Sequence, residues 1–306
     1  MKAFFVVLCM VVIFTAALYY LYYAIFCYPL KKRSDVHDIP ESRLYKIHRN
    51  NMLEVVNEME NTPFEEVSIC STDGYSLYGK LYHIKENAPL MLFFHGYHGT
   101  YAWDGYGVFQ ICRNNEINIL MVDERTHGKS EGKATTFGIR ERYDCKLWTE
   151  YAVSRFGEKT DLILAGVSMG AATVMMASTL GLPENARAIV ADCGFSEPAA
   201  IIKETIRKMK LPVKPFYLLV SLGAHVFGGF DLKEATALSA VKKLQIPILF
   251  IHGKEDTVVP LSMCEELYES CAGKKEKLIV EEADHANSAV VDFEAYERAV
   301  MDFLNR

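Results

Sequence analysis

Apolar positions divide this chain into two unlike parts. From Ala3 to Leu30, 28 residues pass without a charged side chain. At about 1.5 Å per residue this is long enough to cross a hydrocarbon core of roughly 30 Å. Beyond Pro63, short apolar runs recur between glycine, proline or polar boundaries: Val67–Cys70, Leu77–Leu81, Leu90–Phe94, Ile117–Val122, Leu162–Val167, Ala188–Ala191, Ile248–Ile251 and Leu278–Val280. The first two lie close enough for a hairpin. The later ones are continuously apolar, as strands covered on both faces must be. Helical spacing separates them at about 139–155, 169–180, 261–272 and 289–304. The alternation predicts an α/β fold, a mostly parallel sheet with helices on both faces.

Three units are expected: a membrane anchor with its basic flank (1–34), a linker with an amphipathic helix (35–62), and the α/β domain (63–306). The helix of the second unit is suggested by Leu44, Ile47, Met52, Val55, Val56 and Met59. Residues 196–245, inserted between two strands, predict a small helical cap. Within it, Phe216–Phe230 is strongly apolar and has two readings, a surface for an acyl chain or the bilayer, or a helix packed on the core.

The flanks of the first segment bear on its fate. Tyr19, Tyr20, Tyr22, Tyr23 and Tyr28 crowd its end before Lys31-Lys32-Arg33, as expected where rings sit at headgroup level. A cleaved signal peptide would have a shorter apolar stretch of about 7–15 residues and a small-x-small site. Thr15-Ala16-Ala17 fits that poorly, and Cys27 lacks a lipoprotein context, so a retained single-pass anchor is the expectation. Three basic residues beyond the segment, against Lys2 and the α-amine before it, lean the domain toward the cytoplasmic side. Eight cysteines without a CxxC pair or tight framework read as free thiols, which lean the same way.

Composition narrows the function. Half the residues are hydrophobic and 24% are charged, which excludes a disordered chain. The net charge is −6, and the first 34 residues carry four basic groups and no acid, leaving a remainder more acidic still. No basic stripe is available for nucleic acid. Gly128-Lys129-Ser130 fails as a phosphate loop, because the glycine required five residues earlier is Asp123. No metal-ligand or dinucleotide motif appears, so neither a metal nor a cofactor is expected.

The chemistry concentrates after the predicted strands. Leu162–Val167 runs into Gly166-Val167-Ser168-Met169-Gly170 and a helical pattern. A serine between two glycines at such a turn is strained outward, at a helix end whose N–H groups favour negative charge. A serine hydroxyl needs a base, and the base an orienting acid. Asp256 follows one later strand and His285 the next, so the chain order is that of a serine hydrolase. Glu255 and Asp284 compete for the acid role, and His252 reads as turn support. His37, His48, His83 and His225 carry no motif. An oxyanion site requires two amides, and Tyr97 and Met169 stand where these belong, in the His95-Gly96-Tyr97-His98-Gly99 loop and directly after the serine.

Five segments in this order, His95–Gly99, Asp123–Ser130, Gly166–Gly170, Ala191–Phe195 and Ile251–Asp256, resemble the α/β-hydrolase superfamily. Within it they resemble the membrane-associated branch related to serine aminopeptidases and prolyl-oligopeptidase-like esterases. The likeness covers about residues 65–305, and His98 departs from it. It implies a Ser168–Asp256–His285 triad, an oxyanion hole at Tyr97 and Met169, and structural roles for the Asp123–Ser130 and Asp192–Phe195 segments. The expected activity is cleavage of carboxylic esters or thioesters of apolar acyl groups, on a small-molecule or lipid-like substrate, through an acyl-enzyme. A peptidase or acyltransferase would use the same residues, and a catalytically silent binding protein would keep only the fold. Oligomeric state is not legible.

Overall fold

The computed structural model describes residues 1–27, 36, 37, 39, 41 and 43–306. Tyr28 and the basic flank Lys31-Lys32-Arg33 lie outside the described residues. The chain opens with α1 (Lys2–Phe26) and α2 (Arg43–Asn61), then the hairpin β1 (Glu65–Cys70) and β2 (Ser76–Tyr82). There follow β3 (Leu90–Phe94), α3 (Tyr101–Asp104), α4 (Tyr106–Asn114), β4 (Asn118–Val122), α5 (Glu141–Phe156), β5 (Leu162–Val167), α6 (Met169–Ala177) and β6 (Ala186–Asp192). The inserted segment holds α7 (Pro198–Lys208), α8 (Val213–Gly223), a π-helical turn (Ala224–Gly228) and α9 (Ala237–Val241). The chain closes with β7 (Ile248–Gly253), α10 (Leu261–Ser270), β8 (Lys275–Val280), α11 (Ser288–Val291) and α12 (Phe293–Leu304).

The eight strands form one sheet in the order β1-β2-β4-β3-β5-β6-β7-β8, antiparallel at β1-β2 and β2-β4 and parallel elsewhere. β3, β4, β5 and β7 are buried throughout, which is why they read as unbroken apolar runs. Each face has its own core. One gathers Trp148, Met175 and Phe250, the other Met52, Phe109 and Tyr296. The amphipathic α2 belongs to the second, through Met52, Val55, Val56 and Met59. Two expectations need correction. The helix expected over 289–304 is broken at Asp292, whose side chain caps α12 by accepting from the Ala295 N–H at 3.0 Å. The helix expected over 169–180 ends at Ala177.

Parallel registry aligns the carboxyl ends of the strands. Phe94 pairs with Gly166, Val167 with Asp192, Asp192 with Ile251 and Gly253 with Val280. The loops after β3, β5, β6, β7 and β8 therefore meet at one edge. At that edge Arg125 grips Asp144 of α5 with Nε at 2.6 Å and Nη2 at 2.7 Å, and reaches Asp73 of the hairpin turn at 3.0 Å. This bidentate pair braces the segment after β4.

α1 is long and apolar enough to cross a membrane. Most of it is exposed; Leu18, Tyr22 and Phe26, in its last turns, are buried. Phe26 packs edge-on against Phe137 and Phe230, and its carbonyl accepts the Thr135 N–H at 2.7 Å. The apolar run Phe216–Phe230 divides its side chains. Tyr217, Val220, Ala224 and Phe230 face inward, while Leu218, Leu222 and Val226 face solvent.

Among the glycines the tightest approach is at Gly170, where a Cβ would sit 2.0 Å from the Phe94 carbonyl oxygen. Gly170→Ala should therefore cost about 1–3 kcal/mol or more through forced backbone displacement. Urea denaturation checks this, and an unchanged midpoint would contradict it.

Candidate active site

Ser168 occupies the turn between β5 and α6 with φ 55° and ψ −111°, a left-handed conformation that a serine adopts only under constraint. The constraint is visible. The Ser168 N–H donates to the Asp192 carbonyl at 2.8 Å, and the Ser168 carbonyl accepts from Ala172 at 3.1 Å as the helix begins. A Cβ on Gly166 would lie 2.3 Å from the Gly170 carbonyl carbon, so both flanking positions need glycine.

His285, in the loop after β8, stands between the serine and Asp256. Its Nε2 is 2.9 Å from Ser168 Oγ and its Nδ1 is 2.8 Å from Asp256 Oδ2. Asp256 is fixed from both sides. Its Oδ1 accepts the N–H groups of Val258 and Val259, each at 2.7 Å, and its Oδ2 also lies 3.3 Å from His252 Nε2. Burial opposes charge on Asp256 and His252, yet their hydrogen bonds outweigh it. Asp256 is held well below the usual carboxylate range and His252 above the usual imidazole range. An alcohol, an imidazole and an anchored carboxylate in series can pass a proton from the alcohol to the ring while the carboxylate steadies the imidazolium.

The competing acids take other places. Glu255 is exposed. Asp284 accepts from the Thr257 N–H and hydroxyl at 2.7 and 2.8 Å and from the His285 N–H at 2.7 Å, which ties the acid loop to the histidine loop. His252 also donates to the Val259 carbonyl at 2.9 Å, so it supports the turn and touches Asp256 as well.

The loop after β3 lies against the elbow. A Cβ on Gly96 would sit 3.3 Å from Ser168 Cβ, which places Tyr97 beside the serine, while Met169 begins α6. Around Tyr97 the neighbouring amides are tied down: Gly96 N–H donates to Asp104 Oδ2 at 2.7 Å, and His98 N–H to His127 Nε2 at 3.1 Å. His127 in turn donates from Nδ1 to the Arg125 carbonyl at 3.0 Å, and His95 accepts the Glu124 N–H at 3.0 Å. Burial pushes His95 down to about 3 and His127 to about 4, so both act as neutral braces. The Tyr97 ring stacks on Phe137 and its hydroxyl donates to the Ile25 carbonyl of α1 at 2.7 Å. The departure at His98 stacks on Tyr97, with ring centroids 3.8 Å apart.

Sequence reasoning missed Asp104, and it gave the Asp123–Ser130 segment no specific task. The structure supplies both, as braces of the loop that carries Tyr97. A donor set for a soft cation does exist, since ligand atoms of Cys193, Asp256 and His285 lie within 4.8 Å of one another. Asp256 and His285 already bind each other, and burial raises the Cys193 thiol well above its ordinary value. A thiol kept protonated is a poor ligand, so the set fits a metal badly.

A serine on a strained strand-to-helix elbow, at the carboxyl edge of a largely parallel sheet, defines a hydrolase of the α/β class. The chain belongs to the α/β-hydrolase superfamily and is a serine hydrolase. Residues 164–286 match the family described as serine hydrolase (FSH1), and residues 85–215 match the family described as serine aminopeptidase, S33. The protein YqkD of Bacillus subtilis is 28% identical over 90% of this chain and 88% of its own. The lysophosphatidylserine lipase ABHD12 of Danio rerio is 26% identical over 61% of this chain and 48% of its own. A crystal structure of the Pyrococcus furiosus esterase Pf2001 superposes with a TM-score of 0.67 at 25% identity, covering 81% of this chain and 93% of that one.

Asp192 ends β6 beside this site, fully buried, with its carboxylate accepting from the Ser288 hydroxyl at 3.1 Å. Burial pushes it up to about 7, against the opposing pulls of His252, Ser288 and His285. The unfolded carboxyl titrates near about 3.9, so between the two values the folded chain holds a proton that the unfolded chain lacks. The stability contributed by Asp192 therefore falls as pH rises toward 7. Asp192→Asn removes this loss, so its stability relative to wild type should improve by roughly 3 kcal/mol from pH 5 to pH 8. Urea titrations at the two pH values test this, and a pH-independent difference would count against it.

Proposed function

We propose that this hydrolase is a membrane-anchored enzyme that cleaves carboxylic esters or thioesters of apolar acyl groups. The observation that carries the reading is the continuous relay Ser168 Oγ, His285 Nε2, His285 Nδ1, Asp256 Oδ2, with its two contacts at 2.9 and 2.8 Å. Ser168 attacks the acyl carbon while His285 takes its proton, and the negative charge grows on the former carbonyl oxygen. The Tyr97 and Met169 amides receive that charge, helped by the start of α6. Return of the proton from His285 to the departing alcohol or thiol leaves an acyl-serine, and water repeats the sequence to release the acid.

An apolar acyl group is supported by the aromatic surroundings of Tyr97. Its ring stacks on Phe137, which also meets Phe195 and Phe26 of α1. The esterase and lipase names of the related proteins support an ester of lipid-like character. In this reading residues 1–34 form the retained anchor with its flank, 35–62 the linker and α2, and 63–306 the catalytic domain with 196–245 as its cap. The free thiols among the described residues and the basic flank in the sequence favour the cytoplasmic side.

A fluorophosphonate probe should label the wild-type protein and fail on a folded Ser168→Ala variant. His285→Ala should lower kcat/KM by about 10⁴-fold or more on p-nitrophenyl esters. Near-normal turnover in that variant would remove His285 from the base role. Rising activity with acyl length supports the esterase reading; faster cleavage of aminoacyl amides would replace it with a peptidase. A folded wild type that neither labels nor turns over would leave a binding protein.

A further inference from the structure

The anchor is more than a tether in this fold, and the cap is built onto it. α8 and the π-helical turn pack along the last turns of α1. Gly223 permits the approach, since a Cβ there would lie 3.2 Å from Tyr22 Cβ and 3.5 Å from the Leu18 carbonyl oxygen. Phe227 sets its ring 5.2 Å from Tyr19 and 5.8 Å from Tyr22. Tyr19, Tyr20 and Tyr23 remain exposed, and a tyrosine belt on a membrane helix marks the headgroup level. A helix in direct contact with that stretch lies within about one helix diameter, 10–12 Å, of the same level.

α8 and the π-helical turn that continues it have apolar side chains on opposite faces. Tyr217, Val220 and Gly223 face the domain and α1. Leu218, Leu222 and Val226, spaced four residues apart, face outward with exposures of 66%, 41% and 57%. An outward apolar stripe belongs in an apolar environment, and the described residues do not supply one on this face. The approach to this face is basic, in contrast to the acidic chain as a whole. Between residues 203 and 214 stand Lys203, Arg207, Lys208, Lys210 and Lys214 against the single acid Glu204. Arg207 pairs with Glu204 and Lys208 donates to the Val258 carbonyl at 2.8 Å, while Lys210, Lys214 and the neighbouring Met209 are exposed. An outward apolar stripe beside exposed lysines is the chemistry of an element lying in the surface of an anionic bilayer.

We propose that the cap docks on the anionic bilayer that α1 crosses, with Leu218, Leu222 and Val226 in the headgroup–acyl boundary and Lys210 and Lys214 among anionic headgroups. This rests on the reading of α1 as a retained membrane anchor. It also deepens the substrate assignment. The Tyr97 hydroxyl is bonded to the Ile25 carbonyl, so the loop beside Ser168 is held by the same helix end that the cap embraces. The site is thereby fixed next to the lipid surface, which suits acyl esters delivered from the membrane.

Quenching of tryptophan by brominated phospholipids tests this on the full chain in nanodiscs containing phosphatidylserine. The native Trp103 and Trp148 are buried and give a low background. Three variants are compared: Leu222→Trp on the cap, Leu8→Trp on α1, and Lys159→Trp at the opposite edge of the sheet. Strong quenching at positions 222 and 8, with none at 159, is expected. Quenching at 8 with 222 as insensitive as 159 would overturn cap docking and leave the anchor standing. No quenching at 8 would remove the anchor reading and this inference with it. Adding Lys210→Glu and Lys214→Glu to Leu222→Trp should weaken docking roughly fivefold for each basic residue lost. Hydrolysis of a short soluble ester should persist in that variant, and unchanged quenching would refute the role of anionic lipid.

Discussion

The site depends on how closely the start of α6 lies against the ends of β3 and β5. Gly166 and Gly170 remove the side chains that would block that approach, and the Phe94 carbonyl fills the space a Cβ would need. The same closeness forces Ser168 into a left-handed conformation and brings the loop of Gly96 and Tyr97 beside it. The proposed nucleophile and the proposed oxyanion donors are thus consequences of one packing contact. Its strain is sustained by the buried sheet around it rather than by any single hydrogen bond.

Around this contact the protein places ionisable groups in two different states. Asp256 is kept charged because two backbone amides and two imidazoles surround its oxygens. His95 and His127 are kept neutral because burial disfavours their protonation and backbone groups engage their nitrogens. The charged group anchors the imidazole that faces the serine, and the neutral ones hold the neighbouring loop without adding positive charge there. Asp192 and Asp104 differ from Asp256, since each is a buried carboxylate whose desolvation outweighs its hydrogen bonds, and ionisation of Asp192 works against folding near neutral pH.

In the proposed reading the N-terminal helix joins these two themes to the membrane. Its free length is apolar and exposed, while its last turns are bonded into the domain at the Ile25 and Phe26 carbonyls. Those two bonds reach the loop of Tyr97 and the segment of Thr135. As the proposed anchor, a helix so placed would orient the domain as well as tether it, because its last turns are part of the domain's own core.

Much of this was legible in the residue order, for physical reasons that can be named. Strands buried on both faces must be continuously apolar, so the sequence bounds β3 and β5 to the residue, and glycine on both sides of Ser168 marks the elbow. Asp256 and His285 followed as groups after successive strands. α3 and α4 were not anticipated, because Gly105 and Gly107 interrupt their pattern; Gly107 is there so that α4 can approach Ala289, a contact between distant segments. The break at Asp292 escaped for a similar reason, since its apolar periodicity continues on both sides. Local periodicity and turn chemistry determined the strands, the longer helices between them and the order of the candidate groups. Which amide Asp104 holds, which imidazole touches Asp256 from behind and where α1 ends were decided only by tertiary structure, because each depends on residues far apart in the chain and adjacent only once the sheet has closed.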